Sequence, residues 1–197
     1  MRLTFKPRGA IQLDGVKLIY RNFEGRGDQY NREGDRNFCV LIPDRPLDDY
    51  EIDSIMTLDR SVTRFKDGDG STILMINDNE VRTVSEALIA YDWNVTIKAP
   101  RTPEDSPYMY LKVKVKFNDR GPIIWLDTDG KGNRLTEQTV RLLDKIDIDF
   151  ADLDIRPYDW TRPGNSGRTA YLDGATVFQN VDRHTMRYAS EEYPTED

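Results

Sequence analysis

The segment YMYLKVKVKF (residues 108–117) alternates strictly between two kinds of side chain, and it constrains the fold more than any other stretch. Side chains in a β-strand point alternately to the two faces of a sheet. One face of this segment carries only apolar residues: Met109, Leu111, Val113, Val115 and Phe117. The other face carries two rings and three amines: Tyr108, Tyr110, Lys112, Lys114 and Lys116. The pattern therefore predicts a strand with one buried and one exposed face.

Short apolar runs separated by glycine- and proline-rich turns fill most of the remaining chain. Strands are predicted at 10–23 (bent at Gly15), 36–42, 92–98, 123–128, 149–160 and 168–180. Helices are predicted at 81–91 and at 135–146, the second with Thr136 as its N-cap. The turn sequence KDGDG predicts a small hairpin between the apolar runs SIMTL and STILMIN. Six to seven strands that do not alternate regularly with helices predict a mainly β sandwich or barrel.

Charge is distributed unevenly over the 197 residues, whose net charge is −7. Residues 44–80 hold ten acidic and four basic groups, and residues 188–197 hold four acidic groups and no basic one. We therefore expect one domain over 1–187 with an acidic insertion at 43–80, followed by a flexible acidic tail at 188–197. No apolar stretch approaches the roughly 18 residues that span a bilayer, and the N-terminus lacks the apolar core of a signal peptide. A cytoplasmic protein without membrane contact is the expectation.

A second stretch repeats the combination of rings and positive charges. In residues 152–160, Arg156, Tyr158 and Trp160 share one face. Rings that stack on bases and cations that follow phosphates are typical of single-strand binders. Further candidates for such a surface are Arg168, Trp125, Phe38, Arg21 and Arg36. The alternative is an ordinary wet strand face, because lysines also block edge-to-edge aggregation and tyrosine and tryptophan are common in strands.

Catalytic and metal-binding patterns are weak. Cys39, the only cysteine, lies in an apolar run, and the only histidine is His184, so nucleophilic Cys–His chemistry is not indicated. Residues 127–138 resemble a calcium loop but carry Lys131 and Gln138 at ligand positions. We therefore expect no enzyme activity, no cofactor and no metal. A metal-dependent nuclease that uses Asp147, Asp149, Asp152 and Asp154 remains an alternative.

Several segments together resemble the phage single-stranded DNA-binding proteins that have an OB-fold core. These segments are 31–42, 91–100, 110–117, 121–126, 135–160 and 167–177, of which RNF…V and IRPYDW…G…AYL are the most specific. The resemblance implies an OB-fold-like β-barrel with two short helices and an inserted hairpin segment. It also implies a non-enzymatic, sequence-nonspecific binder of single-stranded DNA that acts in phage DNA replication or recombination.

The resemblance further implies that the acidic C-terminus recruits replication or recombination proteins. The residues of that tail are Glu191, Glu192, Tyr193, Glu196 and Asp197. A homodimer is left open. The alternative function is a phage protein-interaction or DNA-mimic module without nucleic-acid binding, which the acidic segment 43–80 favours.

Overall fold

The computed structural model describes residues 1–181 of the chain. Its strands, in chain order, are β1 (Arg2–Phe5), β2 (Ile11–Val16), β3 (Leu18–Asn22), β4 (Arg36–Ile42), β5 (Thr63–Lys66), β6 (Thr72–Ile76), β7 (Asn79–Val81), β8 (Val95–Lys98), β9 (Tyr108–Val115), β10 (Ile123–Thr128), β11 (Lys131–Leu135), β12 (Ile148–Arg162) and β13 (Asn165–Gln179). Two α-helices, α1 (Asp49–Leu58) and α2 (Val84–Ala90), interrupt them. The prediction of a mainly β fold is confirmed.

Ten strands form the larger sheet, in which neighbouring strands follow the order β1-β2-β12-β13-β9-β4-β3. β10 pairs with both β11 and β13, and β8 pairs with one edge of β9. The alternation read from residues 108–117 is confirmed for β9, because Met109, Leu111, Val113 and Val115 are buried in the core. β12 and β13 form a long antiparallel hairpin that joins Arg162 to Asn165 across a tight turn.

The larger sheet does not close on itself, so the prediction of a β-barrel is wrong. β2 and β3 are successive parts of one bent segment, and Gly15 takes a left-handed φ of 67° just before the bend. Both edges of β2 are occupied, by β1 and by β12, whereas β3 pairs only with β4. No edge of β2 is free to receive β3 or β4, and β1 and β3 therefore end the hydrogen-bonded path.

A short 3-10 turn at Val140–Asp144 lies beside the end of β3. Arg21 donates to the carbonyl oxygens of Leu143 and Ile146 at 2.7 and 2.9 Å, so it is not available to a ligand as the sequence suggested. The helix predicted at 135–146 is wrong. Residues 131–135 are drawn into the sheet as β11, and Thr136 accepts bonds within a turn rather than capping an α-helix.

The acidic segment 43–80 holds helix α1 and the start of a three-stranded sheet with the order β5-β6-β7. The hairpin predicted at KDGDG is present between β5 and β6, but its first strand is Thr63–Lys66, since SIMTL belongs to α1. Asp48 caps the N-terminus of helix α1: its carboxylate accepts from the Glu51 amide, and the Glu51 carboxylate accepts from the Asp48 amide.

Glu51 also fastens this segment to the larger sheet. Its side chain is fully buried, accepts the Leu3 amide at 2.9 Å, and takes two hydrogen bonds from the Arg45 guanidinium at 2.7 and 3.0 Å. One hydrophobic cluster includes Leu13 of the larger sheet together with Ile55 of α1. The division into a domain at 1–187 with an insertion at 43–80 stays a prediction. Among the described residues, no helix is long and apolar enough to cross a membrane.

Candidate nucleic-acid interface

The exposed face of β9 carries the side chains that its alternation predicted. Lys112, Lys114 and Lys116 are exposed, and none of them forms an ion pair with another residue in the part of the chain that the structure describes. The opposite face is fixed in the core by Leu111 and Val113. The register of β9 therefore cannot slip without burying the amines, and the three positive charges are held on the outer face of the sheet.

β13 lies between β9 and β12 and carries the residue that joins their two exposed faces. Tyr171 is directly opposite Lys114 on one side and directly opposite Arg156 on the other. Residues opposite each other in a ladder share a face. The Arg156 guanidinium carbon lies 4.9 Å from the centre of the Tyr171 ring, and Tyr158 meets the same ring edge-on at 6.0 Å. Lys114, Tyr171, Arg156 and Tyr158 therefore form one continuous surface.

Three tyrosines from two strands form a cluster at the end of this face nearest the start of β9. The hydroxyls of Tyr20 and Tyr108 are 2.7 Å apart, and the Tyr110 ring lies 5.7 Å from the Tyr20 ring and 6.1 Å from the Tyr108 ring. The hydrogen bond with Tyr108 raises the pKa of Tyr20. Tyr20 has a φ of 49° at a break in the β3–β4 ladder, and it is 59% exposed.

The loop between β3 and β4 forms a side wall next to the lysines. Asp28 accepts the backbone amides of Tyr30 and Asn31, both at 2.7 Å, and these bonds lower the pKa of its carboxyl. Asn31 in turn accepts from Asn37, which lies opposite Lys114. A cavity of about 440 Å³ opens between this loop and the sheet, and Tyr30, which is 80% exposed, lies on its rim.

The sheet divides beside Lys112. β8 pairs with β9 over residues 108–111, whereas β13 pairs with it only at 113–114. Residues 165–169 of β13 pair with β12 alone, so the tip of the β12–β13 hairpin leaves an open edge facing residues 92–94. Trp160 lies on this tip, its ring packed over Gly167, where an added Cβ would come within 2.6 Å of the ring.

Arg168 fixes the hairpin tip and is not free to bind a ligand as predicted. It makes two bonds to the Asp159 carboxylate, at 2.7 and 3.0 Å, and a third to the Tyr91 carbonyl at 2.8 Å. Its guanidinium carbon lies 5.3 Å from the centre of the Trp93 ring. The partnership raises the pKa of Arg168 and lowers the pKa of Asp159, so both groups stay charged and paired at neutral pH.

Two further candidates from the sequence belong to β4 and lie opposite core residues of β9. Phe38 is completely buried and stacks on Phe23 at 5.1 Å, because it faces the core with Val113. Arg36 is opposite Val115, on the core side of the strand, where it pairs with Glu137 at 3.0 Å. Phe38 is therefore too deeply buried to contact a nucleic acid, whereas Arg36 is partly exposed and lines the cavity beside the lysines, so its binding role stays a prediction. The apolar run RNFCVLI alone could not show which side chains face inward.

Trp125 is exposed but stands apart, beside a cavity of about 540 Å³ lined by four aspartates. These are Asp14, Asp152, Asp154 and Asp173. Burial, together with the nearby carboxylates of Asp14, Asp173 and Asp152, raises the pKa of Asp154. The structure therefore places this ring in a negative environment instead of on the basic face.

The chain matches the family model described as "Putative phage ssDNA-binding domain" over residues 2–55 and 62–197. The chain belongs to this phage ssDNA-binding family. No curated relative matches the chain in sequence.

Among solved structures, the chain is similar to the single-stranded DNA-binding protein from bacteriophage Enc34 in three forms. The complex with ssDNA shares 11% identity at a TM-score of 0.44, covering 92% of this chain and 97% of that chain. The uncomplexed protein shares 10% at 0.44, covering 92% of each chain. A C-terminal truncation shares 10% at 0.44, covering 89% of each chain.

Three of the four carboxylates proposed for a nuclease have structural partners in this family member. Asp149 contacts the Lys17 amine, and Asp152 accepts the Gly15 amide at 2.8 Å, so both attach β12 to the bent segment. Asp147 accepts from Asn180 at 2.8 Å. Within residues 1–181, no three histidine, cysteine or acidic side chains are arranged to hold a metal ion.

The predicted partner-binding residues of the tail lie outside the described residues. Within the described part, the sequence reasoning missed Tyr20, Tyr30 and Tyr171. Tyr171 alternates with the buried Ala170 and Leu172, and this pattern could have assigned it to the exposed face. Nothing in the local sequence indicates the position of Tyr20, because its orientation depends on an unusual backbone angle in a broken ladder.

Proposed function

We propose that this family member binds single-stranded DNA across the surface that joins β9, β13 and β12. The observation that carries the proposal is the row Lys114–Tyr171–Arg156, which connects the two aromatic and basic segments into one face. Stacking on aromatic rings is worth about 1–3 kcal/mol per base and tolerates any base. A row of amines adds phosphate contacts that carry no sequence information. Binding is therefore expected to be nonspecific in sequence.

The proposed path begins at the tyrosine cluster of Tyr20, Tyr108 and Tyr110 and passes the three lysines. It then crosses Tyr171 to reach Tyr158 and Trp160 on the hairpin. Rings occur at both ends and cations in the middle, so a flexible strand can stack at two places while its backbone crosses the lysines. A duplex cannot expose its stacked bases to these rings, which gives the preference for single strands.

The proposal extends to biological role and to architecture. A nonspecific single-strand binder in a phage serves DNA replication or recombination, acts without catalysis and works in the host cytoplasm. The acidic C-terminus would recruit replication or recombination proteins, and a homodimer remains open. The larger sheet is proposed to be an open variant of the OB fold, in which the bent segment β2–β3 lies where a closed barrel would join its first and last strands.

A fluorescence titration with oligo-dT tests the proposed function. Trp160 is expected to be quenched by stacking, with much weaker binding to a duplex of equal length. Trp160→Phe is the matched variant, because it retains a ring while removing that signal, and binding followed by anisotropy should persist. Absence of binding at low salt, or equal affinity for duplex, would refute the proposal. In that case a protein-interaction or DNA-mimic module becomes the better explanation.

A further inference from the structure

A cleft of about 670 Å³ lies between the tip of the β12–β13 hairpin and the turn that follows helix α2. Trp160 contributes one side, and Trp93 and Asn94 contribute the other. The edge of β13 at residues 165–169, which has no strand partner in the described structure, also lines it. A volume of this size admits a small planar ligand against an aromatic wall.

Polar groups without partners surround this cleft. The side chains of Asp92, Asn94, Asn165 and Ser166 make no hydrogen bond with another described residue. Trp93 is 3% exposed, and its indole Nε1 is buried without an acceptor among the described residues. A ligand in the cleft cannot reach this buried atom, but it can reach the exposed side-chain amides of Asn94 and Asn165 and the hydroxyl of Ser166, which can donate to a carbonyl oxygen.

The charges of the cleft select against a phosphate. Arg168 makes two hydrogen bonds to Asp159 and attracts Asp92 only through its charge, so one guanidinium faces two carboxylates and the cleft keeps a net negative charge. A net negative charge repels a phosphate, and an exposed carboxylate without a hydrogen bond can accept one from an amino group. A base, which carries no charge, suits this cleft better than a phosphate, which suits the exposed lysines of β9.

We infer that this cleft takes one unpaired base that carries both an exocyclic amino group and a carbonyl oxygen, namely cytosine or guanine. The ring stacks on Trp160, the amino group donates to Asp92, and the carbonyl accepts from the unpaired donors of the cleft wall. This inference rests on the proposed function and adds a modest base preference to an otherwise nonspecific binder. One additional well-placed hydrogen bond to a single base changes the affinity for the DNA strand by roughly three- to tenfold.

Two strands that differ at a single base test the inference. One is an oligo-deoxyuridine, and the other carries one central deoxycytidine, so phosphates, sugars and methyl content are the same. The wild-type protein is expected to bind the deoxycytidine strand roughly three- to tenfold more tightly. Asp92→Asn should reduce this ratio toward one. Asp53→Asn, an exposed position on helix α1, should leave the ratio unchanged.

The ratio separates this inference from the proposed function. Loss of one negative charge strengthens binding to both strands equally, and the ratio cancels that effect. Equal binding of the two strands by the wild-type protein, or a preference that survives Asp92→Asn, overturns the inference while single-strand binding stands. Absence of binding to either strand overturns the proposed function itself.

Discussion

Replacement of Lys112, Lys114 and Lys116 by alanine is the most direct perturbation of the proposed interface. The three amines are exposed and form no ion pair in residues 1–181, so their removal leaves no charge unpaired. Their backbone stays in the sheet because the opposite face of β9 is buried. The fold should therefore survive, which circular dichroism and urea unfolding can confirm.

The expected loss follows from counterion release. Each phosphate neutralised on a single strand contributes about 0.7 to the slope of log K against log salt concentration. If each lysine meets one phosphate, the triple variant lowers the magnitude of that slope by about 2. At 0.1 M salt the same loss weakens binding about 100-fold, and the difference disappears near 1 M.

The assay is a titration with oligo-dT at salt concentrations between about 0.05 and 0.5 M, which spans the range where screening changes most. Replacement of Lys131 and Lys145 by alanine is the control, because both are exposed and neither lines the cavity between the β3–β4 loop and the sheet. The control should retain the wild-type slope. A triple variant with an unchanged slope would refute the reasoning, since the phosphates would then lie elsewhere.

Three other predictions concern residues that the structure assigns to positioning or to the core. Arg168→Met should lower the free energy of unfolding, measured in urea, by about 2 kcal/mol, because the guanidinium holds Asp159. The same variant should weaken oligo-dT binding without changing the slope of log K against log salt concentration. A smaller slope would mean that Arg168 contacts a phosphate. Glu51→Ala should lower the free energy of unfolding by about 3 kcal/mol, because it leaves the Arg45 guanidinium and the buried Leu3 amide without an acceptor. A decrease below about 1 kcal/mol would contradict this. Burial raises the pKa of Cys39 to about 11. Its reaction with a thiol reagent at pH 8 should therefore be about 100-fold slower than that of a free cysteine, and the rate should increase toward pH 11. Rapid reaction at pH 8 would show that the thiol is not buried.

Local periodicity predicted the strands whose two faces differ most. The alternation in 108–117 identified β9 and the faces of its side chains, because a two-residue period has one structural meaning there. Helix α1 was missed although Asp48 and Glu51 have the spacing of a capping box. The short apolar run after them fits a strand equally well, and only the cap decides between the two.

Pairing between distant strands decided which candidate residues could meet. Arg168 looked available until the hairpin register placed it opposite Asp159. Arg36 and Phe38 lie two residues apart in a segment whose residues 38–42 are all apolar, and only the β4–β9 register places both opposite core residues of β9. The division of the sheet at Lys112 depends on two strands sharing one edge, and no local pattern contains that information.

The charge of the outer surface changes from positive to negative within β13, and this change limits where a DNA strand can bind. Tyr171 lies in the basic row, whereas Asp173 pairs with Arg156 at 3.0 Å and begins the acidic region beside Asp154 and Trp125. Charges only a few residues apart act within one Debye length, which is about 8 Å at physiological salt. A strand that continued toward Trp125 would meet unscreened repulsion that one stacked ring cannot offset. An acidic chain can therefore bind DNA along the proposed path, because the acidic region around Trp125 lies beside the exposed lysines and not among them.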